Sequence, residues 1–148
     1  MIWKPHFTVA AIAEHQGRFL LVEEAPTGRT VLNQPAGHLD DNESLLDAVI
    51  RETHEETGHH FTPEYIVGVY RWQNPDDHKT FIRVAFFGSV DTASNPTPID
   101  SSILQSLWLS KKAMTARKQD MRSPLVMQCI DDYQRGKRYA LDLITDLG

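Results

Sequence analysis

Three glutamates, Glu52, Glu55 and Glu56, fall at i, i+3 and i+4 within the run GHLDDNESLLDAVIRETHEETGH, residues 37–59. Like charges at that spacing repel on one helix face. Charged side chains are seldom buried unless paired or bound to a cation. A hard divalent ion turns that repulsion into function. Mg²⁺ takes carboxylate oxygens and shares its shell with water and substrate phosphates. Mn²⁺ suits the same donors. The expected metal ligands are therefore Glu52, Glu55 and Glu56. Arg51 stands among them as a planar cationic fork that holds a carboxylate by two bonds. Glu43, two turns back, is its expected partner. The chemistry implied is divalent-metal binding beside a phosphate-bearing substrate.

A helix must position these groups. Asp41 or Asn42 is the expected N-cap, with Glu43 in the first turn, and Gly58 closes the helix at its C-terminal end. Leu45, Ala48 and Val49 have amphipathic spacing, and the same stripe continued meets Glu52, Glu55 and Glu56. One face thus begins apolar and ends acidic. Its C-terminal half is expected to border a cavity rather than a core.

Five residues separate Gly37 from Glu43, and seven separate Glu43 from Arg51. With Arg51-Glu52, Glu55-Glu56 and Gly58, these positions resemble the box of the Nudix hydrolase family. Every glycine and charged position matches. Thr53 and His59 depart from it, standing where the family has bulky aliphatics. Both are packing positions, so the departures bear on how the helix packs and not on the metal chemistry. The resemblance extends to Pro5–Ala10, Gly17–Glu24, Asn33–Leu39, Arg122–Val126, Tyr133-Gln134 and Arg138-Tyr139. Those segments resemble one bacterial subgroup of the family, the NudJ-type phosphatases. The resemblance implies metal-assisted hydrolysis, in which a carboxylate takes a proton from attacking water, and it implies that the Gly37 carbonyl completes the metal shell. Glu52 is one candidate for that base; in some relatives the base is an acid on a later loop, for which Asp76, Asp77 and Asp100 are the candidates here. It also implies release of orthophosphate from nucleoside tri- and diphosphates and from the pyrophosphate of the thiamin pyrimidine precursor. The alternatives are a pyrophosphatase of nucleoside diphosphate sugars, such as ADP-ribose, or of oxidised nucleotides, and a non-catalytic nucleotide sensor. The intact box argues against a sensor.

Composition bounds the reading. At 148 residues, 41% hydrophobic and 24% charged, the chain reads as one globular domain over residues 1–148. A net charge of −5 argues against a nucleic-acid partner, which needs a basic face. It does not oppose a small anionic substrate, because a bound metal reverses the local sign. Cys129 is the only cysteine and is expected to be a buried helix residue. No signal or membrane segment is recognised, so the cytoplasm is the default setting, with a monomer or homodimer as the form.

The coarse layout is mixed α/β. Strands are expected at Phe7–Ala13, Arg18–Glu23, Glu64–Trp72, Thr80–Val90 and Leu104–Leu109. A final helix is expected over Ser123–Gln134, capped by Ser123 with Pro124 at its first position and closed by Gly136. Strands, one central helix, more strands and a last helix fit an α/β/α sandwich with a mixed β-sheet, which is also the Nudix fold. Outside the box, Trp72 is a candidate for stacking on a base or pyrimidine, and Arg71 or Lys79 for meeting phosphate. Arg122, just ahead of the last helix, and Gln34 are further candidate substrate contacts. His38 is weighed between phosphate contact and bonding within its loop, and His54 is expected at the surface.

Overall fold

The computed structural model describes residues 1–148. Its elements run β1 (His6–Ile12), β2 (Glu14–His15), β3 (Arg18–Glu24), β4 (Val31–Asn33), β5 (Ala36–His38), α1 (Leu45–Thr57), β6 (Phe61–Gln73), β7 (Thr80–Val90), β8 (Ile103–Ser110), α2 (Lys111–Ala116) and α3 (Pro124–Gln134). Two four-stranded sheets form rather than one. The first has the order β5-β1-β7-β6 and is mixed, because β1 and β7 run parallel while the outer pairs are antiparallel. In the second, β3 pairs with β2, β4 and β8, always antiparallel. Gln16 and Gly17, both at positive φ, make the tight turn that returns β2 into β3.

Alternation along the strands creates two cores. Val9, Ala11 and Ala13 face one way and pack with Leu20, Val84, Phe86 and the α1 residues Ala48 and Val49. Ile12, Phe19, Leu21 and Ala85 face the other way, against Met114 of α2 and Val126, Cys129 and Ile130 of α3. Strand side chains point to opposite faces in turn, so both faces of the strand layer are covered by helix. This is an α/β/α sandwich. Cys129 is buried in the second core as a free thiol, and burial there raises its pKa.

The central helix starts later than its acidic approach suggests. Ser44, not Asp41 or Asn42, is the N-cap, and its hydroxyl accepts the Asp47 N–H at 3.1 Å. Asn42 sits at φ 62°, outside the helix. Glu43 consequently precedes the first turn, and its carboxylate accepts the Asp40 N–H at 3.0 Å. Gly58 closes the helix at φ 79°, its N–H donating to the His54 carbonyl, as expected of a glycine there. The two departures in the box are both accommodated. Thr53 is buried with its hydroxyl donating to the Val49 carbonyl at 2.7 Å. His59 is buried with its ring edge-on to Trp108 at 6.2 Å.

Helix α3 has the expected Ser123 cap and Pro124 start, followed by Gly136 at φ 83°. Helix α2 was not expected. Its six residues are too few to show a period, and only the Ser110 hydroxyl, accepting from the Ala113 N–H, marks it. No helix is long and apolar enough to cross a membrane.

Candidate functional site

Three successive residues of β5 grip three residues of α1. The Ala36 N–H donates to Glu56 Oε1 at 2.9 Å. At Gly37, a Cβ would lie 2.2 Å from the Glu52 carboxyl carbon, so only glycine lets that carboxyl lie against the strand. The His38 carbonyl accepts from Arg51 Nη2 at 3.1 Å. Strand β5 is itself held on β1, with Val9 opposite Gly37. The spacing of the box is therefore the spacing at which one helix face meets one short strand.

Arg51 organises the acids. Its Nε and Nη2 donate to both oxygens of Glu43, at 2.7 and 3.0 Å, in the expected bidentate pair. Its Nη1 reaches Glu52 at 2.8 Å and Glu55 at 3.3 Å, and Asp40 lies 3.3 Å from Nε. The Arg51 hydrogen bonds hold the Glu43 carboxyl below its usual range. Glu43 in turn, with Glu52, keeps the guanidinium firmly charged. Burial lifts Glu52 above the usual carboxylate range, against the pull of Arg51. Glu56 is 7% exposed and has only the Ala36 N–H as partner. Burial pushes its carboxyl up to about 9, and the charges of Glu52, Glu24 and Asp100 add to that.

One guanidinium thus faces four carboxylates, with a fifth buried beside them. Arg51 draws Glu52 and Glu55 to itself, and no three acidic, histidine or cysteine side chains converge into a coordination cluster. The donor set nonetheless fits a hard cation. It is all oxygen, short of positive charge, and backed by a strand that leaves room for the Glu52 carboxyl. Replacing Gly37 by alanine tests that cradle. The obstruction is the far end of a flexible side chain, so Glu52 is expected to swing aside with the fold intact. We expect Tm within a few degrees of wild type and a fall in kcat of about 10-fold or more. Melting curves and initial rates read both, and full activity would contradict the cradle.

The other candidates divide. Trp72 and Arg122 line one cleft of about 610 Å³, with Asn74, Asp76, Lys118 and Met127 among its walls. Trp72 stacks on Phe81, with centroids 5.8 Å apart, and Phe81 stacks on His6 at 5.1 Å. Arg122 also pairs with Glu24 at 2.5 Å, and its N–H donates to the Leu32 carbonyl. Arg71 does not join them. It neighbours Trp72 on β6, so its side chain leaves from the opposite face, exposed to solvent. Gln34, expected to contact substrate, lies in the interior instead. It is 0% exposed, donating to the Val126 carbonyl at 2.8 Å and accepting from Arg83 Nη1 at 2.8 Å. It braces a buried arginine instead of facing a ligand.

His38 lies 3.0 Å from His6, nitrogen to nitrogen, and its pKa is lowered by burial and by the charges of His6 and Arg122. His54 is exposed, as expected. Of the loop acids, Asp100 lies nearest the box, its N–H bonded to the Glu55 carbonyl at 2.8 Å. Its carboxylate is engaged by Ser102. Asp77 pairs with Lys79. Sequence reading missed Glu24, a buried acid at the end of β3 that sets Arg122 and adds to the field at Glu56. Its signal was slight: Glu24 follows Glu23 at the end of a strand whose centre, Phe19 to Val22, is apolar, and nothing in the sequence sets one glutamate apart from the other.

The model of the NUDIX domain matches residues 3–128. The chain belongs to the Nudix family. Proteins named phosphatase NudJ, from Shigella boydii serotype 4 and Escherichia coli K12, are each 40% identical to it over 146 residues. The match covers 98% of this chain and 94% of theirs. A solved structure of a NUDIX hydrolase from Nitrosomonas europaea superposes with a TM-score of 0.92 at 44% identity, covering 97% of both chains. The protein is thus a Nudix hydrolase of the NudJ type, an enzyme that acts on phosphoanhydride bonds of small molecules. Nudix hydrolases use divalent metal ions, and the acidic face of α1 is the donor set that fits one.

Proposed function

We propose that this Nudix hydrolase is a Mg²⁺-dependent phosphatase. Its products are orthophosphate, released stepwise from nucleoside tri- and diphosphates, and orthophosphate from the thiamin pyrimidine pyrophosphate. The observation that carries this reading is the extent of the likeness to phosphatases. It runs past the box through the cleft of Trp72 and Arg122, over 98% of the chain. We assign the whole of residues 1–148 to one catalytic domain, working in the cytoplasm as a monomer or homodimer.

In this reading Glu52, Glu55, Glu56 and the Gly37 carbonyl hold the metal. Bound Mg²⁺, which Mn²⁺ can replace, supplies charge stabilisation for the leaving phosphate and lowers the pKa of water. Arg51 and Glu43 fix the orientation of Glu52. Glu52 takes the proton of the attacking water; burial raises its basicity toward the working range of a general base. Asp100 is engaged by Ser102 and Asp77 by Lys79, which leaves Asp76 as the alternative base among the loop acids. Arg122 meets substrate phosphate and Trp72 the ring.

The test is orthophosphate release from GDP before and after EDTA, with Mg²⁺, Mn²⁺ and Zn²⁺ added back separately. Activity should vanish with EDTA and return with Mg²⁺ or Mn²⁺, because the donors are all oxygen. Recovery with Zn²⁺ alone would overturn the metal assignment.

A further inference from the structure

A row of four rings crosses the first sheet on the face covered by α3. Trp72 of β6 stands opposite Phe81 of β7, and Phe81 opposite His6 of β1. Each of these rings stacks on the next, with centroids 5.8 and 5.1 Å apart. His38 of β5 ends the row, edge-on to His6 at 5.2 Å. It stands opposite Thr8, two residues along β1 from His6, so strand alternation sends both histidines to one face. Gly37 faces the other way, toward Glu52. The row therefore starts in the cleft lined by Trp72 and ends one residue from the cradle of the box.

The last two rings are hydrogen-bonded, His6 Nδ1 to His38 Nε2 at 3.0 Å. One nitrogen must donate and the other accept, so the bond ties the tautomer of one ring to that of the other. His6 is half-buried and stacked on Phe81, while the His38 ring is exposed beyond it. Arg122 and Lys79 act on His38 with positive charge, and Asp40, the acid that opposes them, is paired with Arg51 at 3.3 Å. Arg122 also holds Glu24, whose charge acts in turn on Glu56. Arg122 thus has the buried acid of the box on one side and the His38 ring within range of its charge.

We propose that His38 is a further substrate contact, donating from Nδ1 to the phosphate that Arg122 meets, and that His6 positions it. This rests on the function proposed above. When His6 Nδ1–H donates to Nε2, the His38 proton stands on Nδ1, the nitrogen that His6 leaves open. A phosphate oxygen there favours that tautomer, because the other sets a lone pair against an anion. A neutral donor suits the place. It gains strength as charge builds on the leaving phosphate, yet adds no cation to compete with the metal.

The test follows the imidazole nitrogens of the full-length protein by nitrogen-15 NMR at pH 8, where histidine is neutral, as orthophosphate is added with Mg²⁺ present. We expect the His38 Nδ1 signal to move and its Nδ1–H form to gain population. His6→Phe keeps the stack on Phe81 but loses the bond. It should bind orthophosphate about 3-fold or more weakly, with the Nδ1–H form of His38 less populated than in wild type. An unchanged tautomer in that variant would overturn the role of His6. Asparagine places an amide near the position of Nδ1, and glutamine near that of Nε2. For GDP, kcat/KM of His38→Asn should therefore exceed that of His38→Gln by about 5-fold or more, and His38→Ala should fall about 10-fold or more below wild type. Equal rates for the asparagine and glutamine variants would overturn the inference. So would an Nδ1 signal that orthophosphate leaves unmoved, whether or not GDP is hydrolysed. A moving Nδ1 signal with no orthophosphate released from GDP would support the contact and refute the phosphatase reading.

Discussion

Glu56→Gln is expected to lower kcat by 10²-fold or more while making the metal-free protein more stable. The two effects share one cause. Glu56 is buried among acids with a single N–H partner, and its carboxyl is pushed up to about 9. The folded chain therefore keeps this proton until about pH 9, while the unfolded chain loses it at an ordinary carboxylate pH. Between those limits the unfolded state binds fewer protons, so stability falls as pH rises. Glutamine is the neutral isostere of the protonated acid and escapes that cost, on the order of 1–3 kcal/mol near pH 8. It also removes a charged ligand from the proposed metal site, and with it the electrostatic stabilisation of the leaving phosphate. Thermal melts at pH 5 and pH 8 without metal, and single-substrate rates with Mg²⁺, measure both. The melting gain should be present at pH 8 and small at pH 5. A folded variant with near-normal turnover would show that the box is not the active centre.

Arg51→Lys should cost about 30-fold in kcat with KM within about 3-fold of wild type. Lysine keeps the charge but offers a single point in place of a fork. Here the fork binds both oxygens of Glu43, one of Glu52 and the His38 carbonyl, at 2.7 to 3.1 Å. No ammonium bridges those groups at once. The proposed base then loses its orientation while the substrate contacts at Trp72 and Arg122 stay in place. Glu43→Gln should behave similarly, and the double variant should be little worse than either single one, because both changes break one unit. A lysine variant with kcat within 2-fold of wild type would refute this positioning role.

What was legible in the sequence was whatever a short spacing determines. The box glutamates, the Gly58 stop, the Ser123 cap and the Arg51–Glu43 pair all lie within one helix or a few residues of it, and the structure has them so. Strand β7 falls at Thr80–Val90, where its aromatic and β-branched residues placed it. The helix start was misplaced because Asp, Asn and Ser are all good caps. Only the register of the helix on β5 decides among Asp41, Asn42 and Ser44. The division into two sheets was illegible for a similar reason: pairing β3 with β8 joins residues far apart in sequence. Gln34 and Arg71 were misjudged because a polar side chain carries no sign of what it faces. Gln34 meets Arg83, 49 residues away, and Arg71 is placed by strand alternation on the side away from Trp72. Glu24 and Arg122, 98 residues apart, became a pair only once β3 and the approach to α3 were brought together.

In the proposed reaction, water attacks the terminal phosphorus. This is tested most directly by hydrolysing GDP in H₂¹⁸O with Mg²⁺ and resolving the products by phosphorus NMR. GMP and orthophosphate form whichever phosphorus is attacked, so only the label distinguishes the two. We expect ¹⁸O in orthophosphate and none in GMP, with the thiamin pyrimidine pyrophosphate behaving alike. Label in GMP, together with efficient cleavage of ADP-ribose, would contradict it.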